Sequence, residues 1–201
     1  MNEELKRIIE GAAQLFLQYG IKGNTMDDVA RHLGVSKKTL YKHVSNKEDL
    51  LMQVVKVHFK HISSCIDELA EGAENAVDEL LQVDKLMTQQ AQLRNPVFIH
   101  ELQKFYPEIW AMASKLRRQY VLKTFSANLR KGMEQGLYRE DLNPEIIALL
   151  HLSRVESLTD PQLFPSDKFK HDEVSHQYVY YHMYGLLNEK GRKYLEQKLN
   201  H

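Results

Sequence analysis

Apolar residues recur along this chain with helical spacing almost from end to end. Leu5, Ile8, Ile9, Ala12 and Phe16 make one stripe. They predict a first helix over 2–19, with Asn2 as its cap and Gly20 as its stop. Met26, Val29, Ala30 and Leu33 then fall at i, i+3, i+4 and i+7, the mark of a short amphipathic helix. Thr25 is placed to cap it and Asp28 to return the bond in a capping box. Gly34 offers the left-handed stop. Val35 plugs the turn, and Ser36 caps a second short helix over 37–44, whose buried stripe is Leu40 and Val44. Ser45 with Glu48 reads as a further Ser-x-x-Glu capping box.

That box opens a long helix to about Gly72, with Leu50, Leu51, Val54, Val57, Ile62, Ile66 and Leu69 as its apolar positions and no internal proline or glycine. It predicts a stiff connector. Further helices are expected over 75–94, from Asn95-Pro96 to Tyr106, and from Pro107 to about Gln135. Others follow over 144–158 and 173–188. Proline disfavours helix at the residue before it and suits the first helical turn, so Tyr106-Pro107 breaks one helix and begins the next. Residues 159–166 (TDPQLFPS) read as a loop, and Gly191 as the break before a tail helix. No stretch sustains a period of two. The expectation is an all-α chain of nine or ten helices. Residues 1–48 are expected to form a three-helix helix-turn-helix domain, and 49–201 a second, larger helical domain.

Charge changes the picture locally. Residues 36–47 hold Lys37, Lys38, Lys42 and Lys47 and no acid, while the chain as a whole carries a formal net charge of zero. Lysines in the first turn of a helix oppose its dipole, so Lys37 and Lys38 point to a polyanionic partner rather than to stability. At about 100° per residue, inward-facing Leu40 and Val44 leave Lys38, Thr39 and Lys42 directed outward, flanked by Lys37, Tyr41 and His43. Such a helix can read base edges in the major groove with the first set and touch phosphates with the second. The plainer alternative is a solvated lysine face. Concentrated rather than bulk basicity suits a sequence-specific binder.

The series Phe16, Gly20, Thr25, Val29-Ala30, Leu33-Gly34-Val35-Ser36, Leu40-Tyr41, His43, Lys47-Glu48 and Leu50 resembles the DNA-binding domain of the TetR (tetracycline-repressor-like) transcriptional regulators, over about the first quarter of the chain. The resemblance implies that Thr25, Tyr41 and Lys47 hold phosphates and that Lys37, Lys38, Thr39, Lys42 and His43 line the groove. Lys38 stands where many members have glycine, and Val44 where they have phenylalanine. The first departure alters the reading surface, so no operator sequence carries over.

Composition bounds the rest. The 201 residues can bury a substantial core. The single cysteine, Cys65, permits no intrachain disulfide and fits a reducing compartment. No apolar run suits a membrane span, and the expectation is a cytoplasmic protein. Phosphate-binding glycine loops, G-x-S-x-G and His-Glu-x-x-His are absent, so no enzyme is expected. No cofactor is expected. His58, His61 and Cys65 share a helix face and could ligate zinc or copper, but periodic helices bring such residues together by chance, and no metal is expected.

Met87, Phe98, Phe105, Trp110, Met112 and Phe125 are either packed core or the walls of an apolar effector pocket, which the family resemblance implies without choosing its residues. Tyr178, Tyr181 and Leu186, with Ile147 and Leu150 on the preceding helix, suit a homodimer interface, where aromatics are enriched. TetR-like proteins typically pair through their last two main helices. The expected function is a dimeric repressor of a palindromic double-stranded operator, released by a small apolar or aromatic effector. The alternative is a TetR-fold DNA-binding protein with a structural or cell-division role and no effector.

Overall fold

The computed structural model describes residues 2–92, 95–157, 163–165 and 168–199, without the side chains of residues 91, 92, 171, 172 and 175. Among them are ten helices: α1 (Glu3–Tyr19), α2 (Met26–Leu33), α3 (Lys37–Tyr41), α4 (Lys47–Gly72), α5 (Ala76–Gln92), α6 (Pro96–Phe105), α7 (Pro107–Glu134), α8 (Pro144–Ser157), α9 (His171–Leu186) and α10 (Glu189–Leu199). The described residues hold no strand, only one antiparallel bridge between Tyr138 and Leu187. The protein is all-α. The end of the helix expected over 75–94 and most of the 159–166 loop lie outside the described residues.

Helix boundaries follow local chemistry. Asn2 accepts the Leu5 amide at 2.8 Å, and α1 stops at Gly20 with φ 81°. Thr25 and Asp28 form the full capping box of α2, and Gly34 ends that helix at φ 66°. Ser36 accepts from the Thr39 amide at 3.0 Å to open α3. Helix α3 is shorter than the predicted 37–44: it closes at Tyr41, and Val44 packs from the turn that follows.

Two expectations need correction. Helix α4 begins one residue late for a Ser45–Glu48 box. Asn46 accepts the Asp49 amide at 2.8 Å, while the Asp49 carboxylate accepts from the Ser45 amide at 2.8 Å. Ser45-Asn46 and Glu48-Asp49 offer two registers for one motif, and the asparagine register wins. Gly191 is not a break either. It lies buried within α10, where a Cβ would run into the Leu137 carbonyl; the glycine serves close approach.

The chain packs as two units, with α4 and α7 each contributing to both. The first contains described residues up to 64 together with 95–117. Its core takes Phe16 from α1, Val29 from α2, Leu40 from α3, Leu50 and Val54 from α4, Phe98 and Leu102 from α6, and Ile109 from α7. The second contains 65–92 and the described chain from 118 on. Its core joins Val77, Phe125, Leu129, Tyr138, Ala148, Met183, Leu186 and Leu195. The buried Tyr138 hydroxyl donates to the Ala76 carbonyl or Asn128 Oδ1, each at 3.0 Å, and the Asn128 amide donates to the same carbonyl. Packing groups α6 with the unit of the first three helices.

Candidate nucleic-acid interface

The reading surface is assembled from α2, α3 and the start of α4. Leu40 and Val44 are buried and anchor α3 in the first core. That anchoring turns Lys37, Lys38, Tyr41 and Lys42 to solvent, with Thr39 half-buried. Among the described residues Lys38 and Lys42 have no ion pair, so their charges are available to an incoming anion. Lys37 differs: its ammonium bonds Asp27 at 2.5 and 2.8 Å, and that bond holds its pKa above the ordinary lysine value.

The flanking residues are tied down. Thr25 Oγ1 donates to Asp28 Oδ2 at 2.5 Å, and this bond, with one from the Thr25 amide, holds the Asp28 carboxyl below its usual range. Thr39 Oγ1 pairs with Ser36 Oγ at 2.8 Å. His43 Nε2 meets Glu4 Oε2 at 2.9 Å and its side chain is only 13% exposed, so it ties the end of α3 to the start of α1. Lys47 is half-buried; burial lowers its pKa against the opposing pull of Glu101 and Asp28.

Sequence reasoning missed Glu101. Its carboxylate, on α6, accepts from the amides of Ile21 at 2.5 Å and Lys22 at 2.9 Å, in the loop that leads into α2. Asn95 adds a bond to the Gln18 carbonyl at 3.3 Å. No local pattern links positions 79 and 80 residues apart.

The six effector-pocket candidates do not share one core. Phe98, Trp110 and Met112 pack in the first unit. Phe105 is exposed there, with the Lys22 and Lys104 ammonium groups over its ring at 4.7 and 5.5 Å. Phe125 belongs to the second core, and Met87 is half-buried on α5. Chain spacing cannot tell which core an aromatic joins, so the six were grouped by type alone.

The dimer candidates divide as well. Leu150 is 60% exposed and Tyr181 81%, and Ile146 and Leu149 join them as exposed apolar residues on α8. Ile147 is half-buried against the second core and Tyr178 is half-buried. Leu186 is corrected: at 2% exposure it is a core residue, turned inward with Met183 one turn earlier. Among the described residues no group of three or more His, Cys, Asp or Glu is arranged to hold a metal ion. No described helix is long and apolar enough to cross a membrane.

Comparison with known proteins agrees with this geometry. Residues 8–54 match the family described as bacterial regulatory proteins, tetR family. The uncharacterised HTH-type transcriptional regulator YvaF of Bacillus subtilis is 25% identical over 84% of this chain and 88% of its own. The Staphylococcus aureus negative regulator of the biofilm operon icaADBC, IcaR, is 32% identical over 38% of this chain, a match spanning 41% of that protein. A solved transcriptional regulator from Saccharomonospora viridis, in complex with choline, shares the fold with a TM-score of 0.72 at 18% identity, over 94% of this chain and all of its own. With its capped reading helix inside the matched segment, residues 8–54 of the chain are a DNA-binding domain of the tetR family, and the chain around it is similar to HTH-type transcriptional regulators.

Proposed function

We propose that the protein is a homodimeric, ligand-released repressor that binds a palindromic operator. The carrying observation is the outward pair Lys38, on α3, and Lys42, at its C-terminal cap, exposed and without an ion pair among the described residues, with Leu40 fixing the helix beneath them. Residues 1–48 provide the reading head and 49–201 effector binding and dimerisation. Lys38, Lys42 and Thr39 read base edges; Lys37, Tyr41 and Lys47 meet phosphates, with Thr25 and His43 holding the head in shape. Lys37 must exchange Asp27 for a phosphate, so it contributes less than its position suggests.

Repression is supported by the likeness to IcaR, a negative transcriptional regulator, and an effector by the choline complex of the Saccharomonospora protein. Pairing through α8 and α9 is supported by exposed Ile146, Leu149, Leu150 and Tyr181, and a two-fold dimer matches a palindromic site. A cytoplasmic location fits a DNA-binding role. Genome-wide mapping of bound DNA, followed by footprinting, tests the reading. Discrete inverted-repeat sites support it. Uniform, sequence-independent coverage overturns it and favours a structural DNA-binding role.

A further inference from the structure

Three helices of the second unit bring together a polar cluster that DNA binding does not use. His151 and Arg154 lie one turn apart on α8, Tyr178 and His182 one turn apart on α9, and Phe125 comes from α7. Phe125 stacks on His151 at 3.9 Å between centroids and 5° between planes, and on His182 at 5.4 Å. The Arg154 guanidinium lies 3.6 Å from the centre of the Tyr178 ring. The Tyr178 hydroxyl reaches only 3.4 Å from His151 Nδ1.

Two polar atoms here lack partners. Arg154 Nε and His182 Nε2 are buried and make no hydrogen bond. Among the described residues Arg154 forms no ion pair, although the Asp84 carboxyl is close enough to feel its charge. A ring face offsets only part of the cost of taking a guanidinium out of water. Native structures seldom leave such atoms unmatched without a reason. Beside Asp84 a cleft of about 480 Å3 opens between α5 and α9, lined by Asp84, Lys85, Thr88, Gln89, Glu173 and His176.

We propose that Arg154 and His182, framed by the rings of Tyr178, His151 and Phe125, form a binding site for a small carboxylate with a planar apolar body. The carboxylate would sit on the guanidinium fork, which suits a planar two-oxygen acceptor, and take a bond from His182 Nε2. The planar body would stack among the rings. One unpaired arginine matches one negative charge. A doubly charged phosphate would leave a charge over and be repelled by Asp84 and Glu173 at the cleft. Both histidines are held neutral by burial, His182 with a pKa of about 4, so Arg154 is the cationic group among these five side chains at neutral pH. The regulatory consequence, that such acids are the effectors, rests on the ligand-released reading above; the binding itself does not.

The test is titration calorimetry on the full-length protein with three naphthalene probes of nearly equal shape: 1-naphthoate, the neutral 1-naphthamide and the cationic 1-naphthylmethylammonium. The expected order places the carboxylate first, about tenfold tighter than the amide, as one charge-assisted pair provides, and the ammonium last. Arg154→Gln should erase the advantage of the carboxylate over the amide. The wild-type series stands by itself should that variant fold poorly. Equal affinities, an ammonium preference, or no naphthoate binding up to its solubility limit overturn the site. DNA binding measured in parallel separates the two readings. Specific DNA binding without carboxylate preference removes only the site, and carboxylate preference without specific DNA binding removes only the regulator reading.

Discussion

The basic groups of the reading head and those of the α8–α9 cluster live under opposite conditions. On α3 and at its C-terminal cap, Lys38 and Lys42 stand in water with no ion pair among the described residues, and their solvation costs nothing until DNA arrives. On α8, Arg154 is stacked on Tyr178 with a bare Nε, and its neighbour His151 is pushed down to a pKa of about 3 by burial, with the nearby His182 and Arg154 adding to it. Exposed charge is available to any polyanion, and selectivity must come from the geometry of a rigid helix. Buried charge has already lost its water, so it selects for one complementary group and rejects the rest. The two regions therefore suit different ligands: a long polymer of phosphates and a single small anion.

Breaking the packing beneath each region gives the largest expected effect. Leu186→Glu buries a carboxylate in the second core and should cost about 3–5 kcal/mol, leaving little folded protein in thermal or urea unfolding. Leu150→Glu, on the exposed side of α8, should leave the chain folded, with only the stabilisation from dimerisation lost, and reduce the mass by light scattering to one chain of 23.5 kDa. A wild-type mass of one chain at micromolar concentration would overturn the proposed dimer.

Acidification should affect the second region and spare the first. His151 and His182 have folded pKa values of about 3 and about 4, below the ordinary 6.5. Between those values and 6.5 the unfolded chain binds the extra protons, so stability falls as pH falls from 6.5 toward 4. Each histidine contributes of order 1 kcal/mol per pH unit. Asp84, raised by burial, acts in the opposite direction just above its ordinary 3.8 and limits the loss at the acid end. Urea unfolding at pH 7 and pH 4.5 measures the difference. A slope unchanged in His182→Phe would show that this histidine is not responsible.

On the reading head the effects are smaller and appear in binding. Lys38→Ala and Lys42→Ala should each cost about 1–3 kcal/mol on the preferred operator and relax discrimination at one position. Lys37→Ala should cost less than either, because its charge is already shared with Asp27. Gel-shift titrations on wild-type and single-base-changed operators decide. If Lys38→Ala leaves affinity and preference unchanged, the assigned orientation of α3 is wrong.

The smallest expected change is Thr25→Ala. Losing the α2 cap should lower stability by about 1 kcal/mol and, with the capping box gone, raise the pKa of Asp28 toward its ordinary range. Calorimetric unfolding and carboxyl NMR titration read the two parts separately.

What the sequence made legible follows the distance over which each signal acts. Caps, the Gly34 turn and the inward face of α3 are set within three or four residues, so Thr25, Ser36, Leu40 and Val44 could be placed by spacing alone. The start of α4 slipped by one residue because Asn46 and Asp49 compete locally with Ser45 and Glu48. Leu186 looked like an interface residue because its helix is aromatic on several sides, and only packing against α7 and α10 decides which side is inside. Arg154 carries a local signal: with His151 three residues earlier, it is a charge two residues past the largely apolar run from Ile146 to Leu152. Its meeting with Tyr178, and that of His151 with Phe125, bring three helices together and have no local trace.

Glu101 limits how this regulator can be re-engineered. A chimera that transplants residues 1–48 onto another scaffold leaves behind the carboxylate that receives the Ile21 and Lys22 amides, and with it the Phe98 and Leu102 side chains that complete the first core. The portable cassette is larger and discontinuous: it must carry α6 and the first turns of α7 along with the helix-turn-helix. Swapping the reading helix alone, from Ser36 to Val44, keeps that support in place and is the cleaner way to give the protein a new operator.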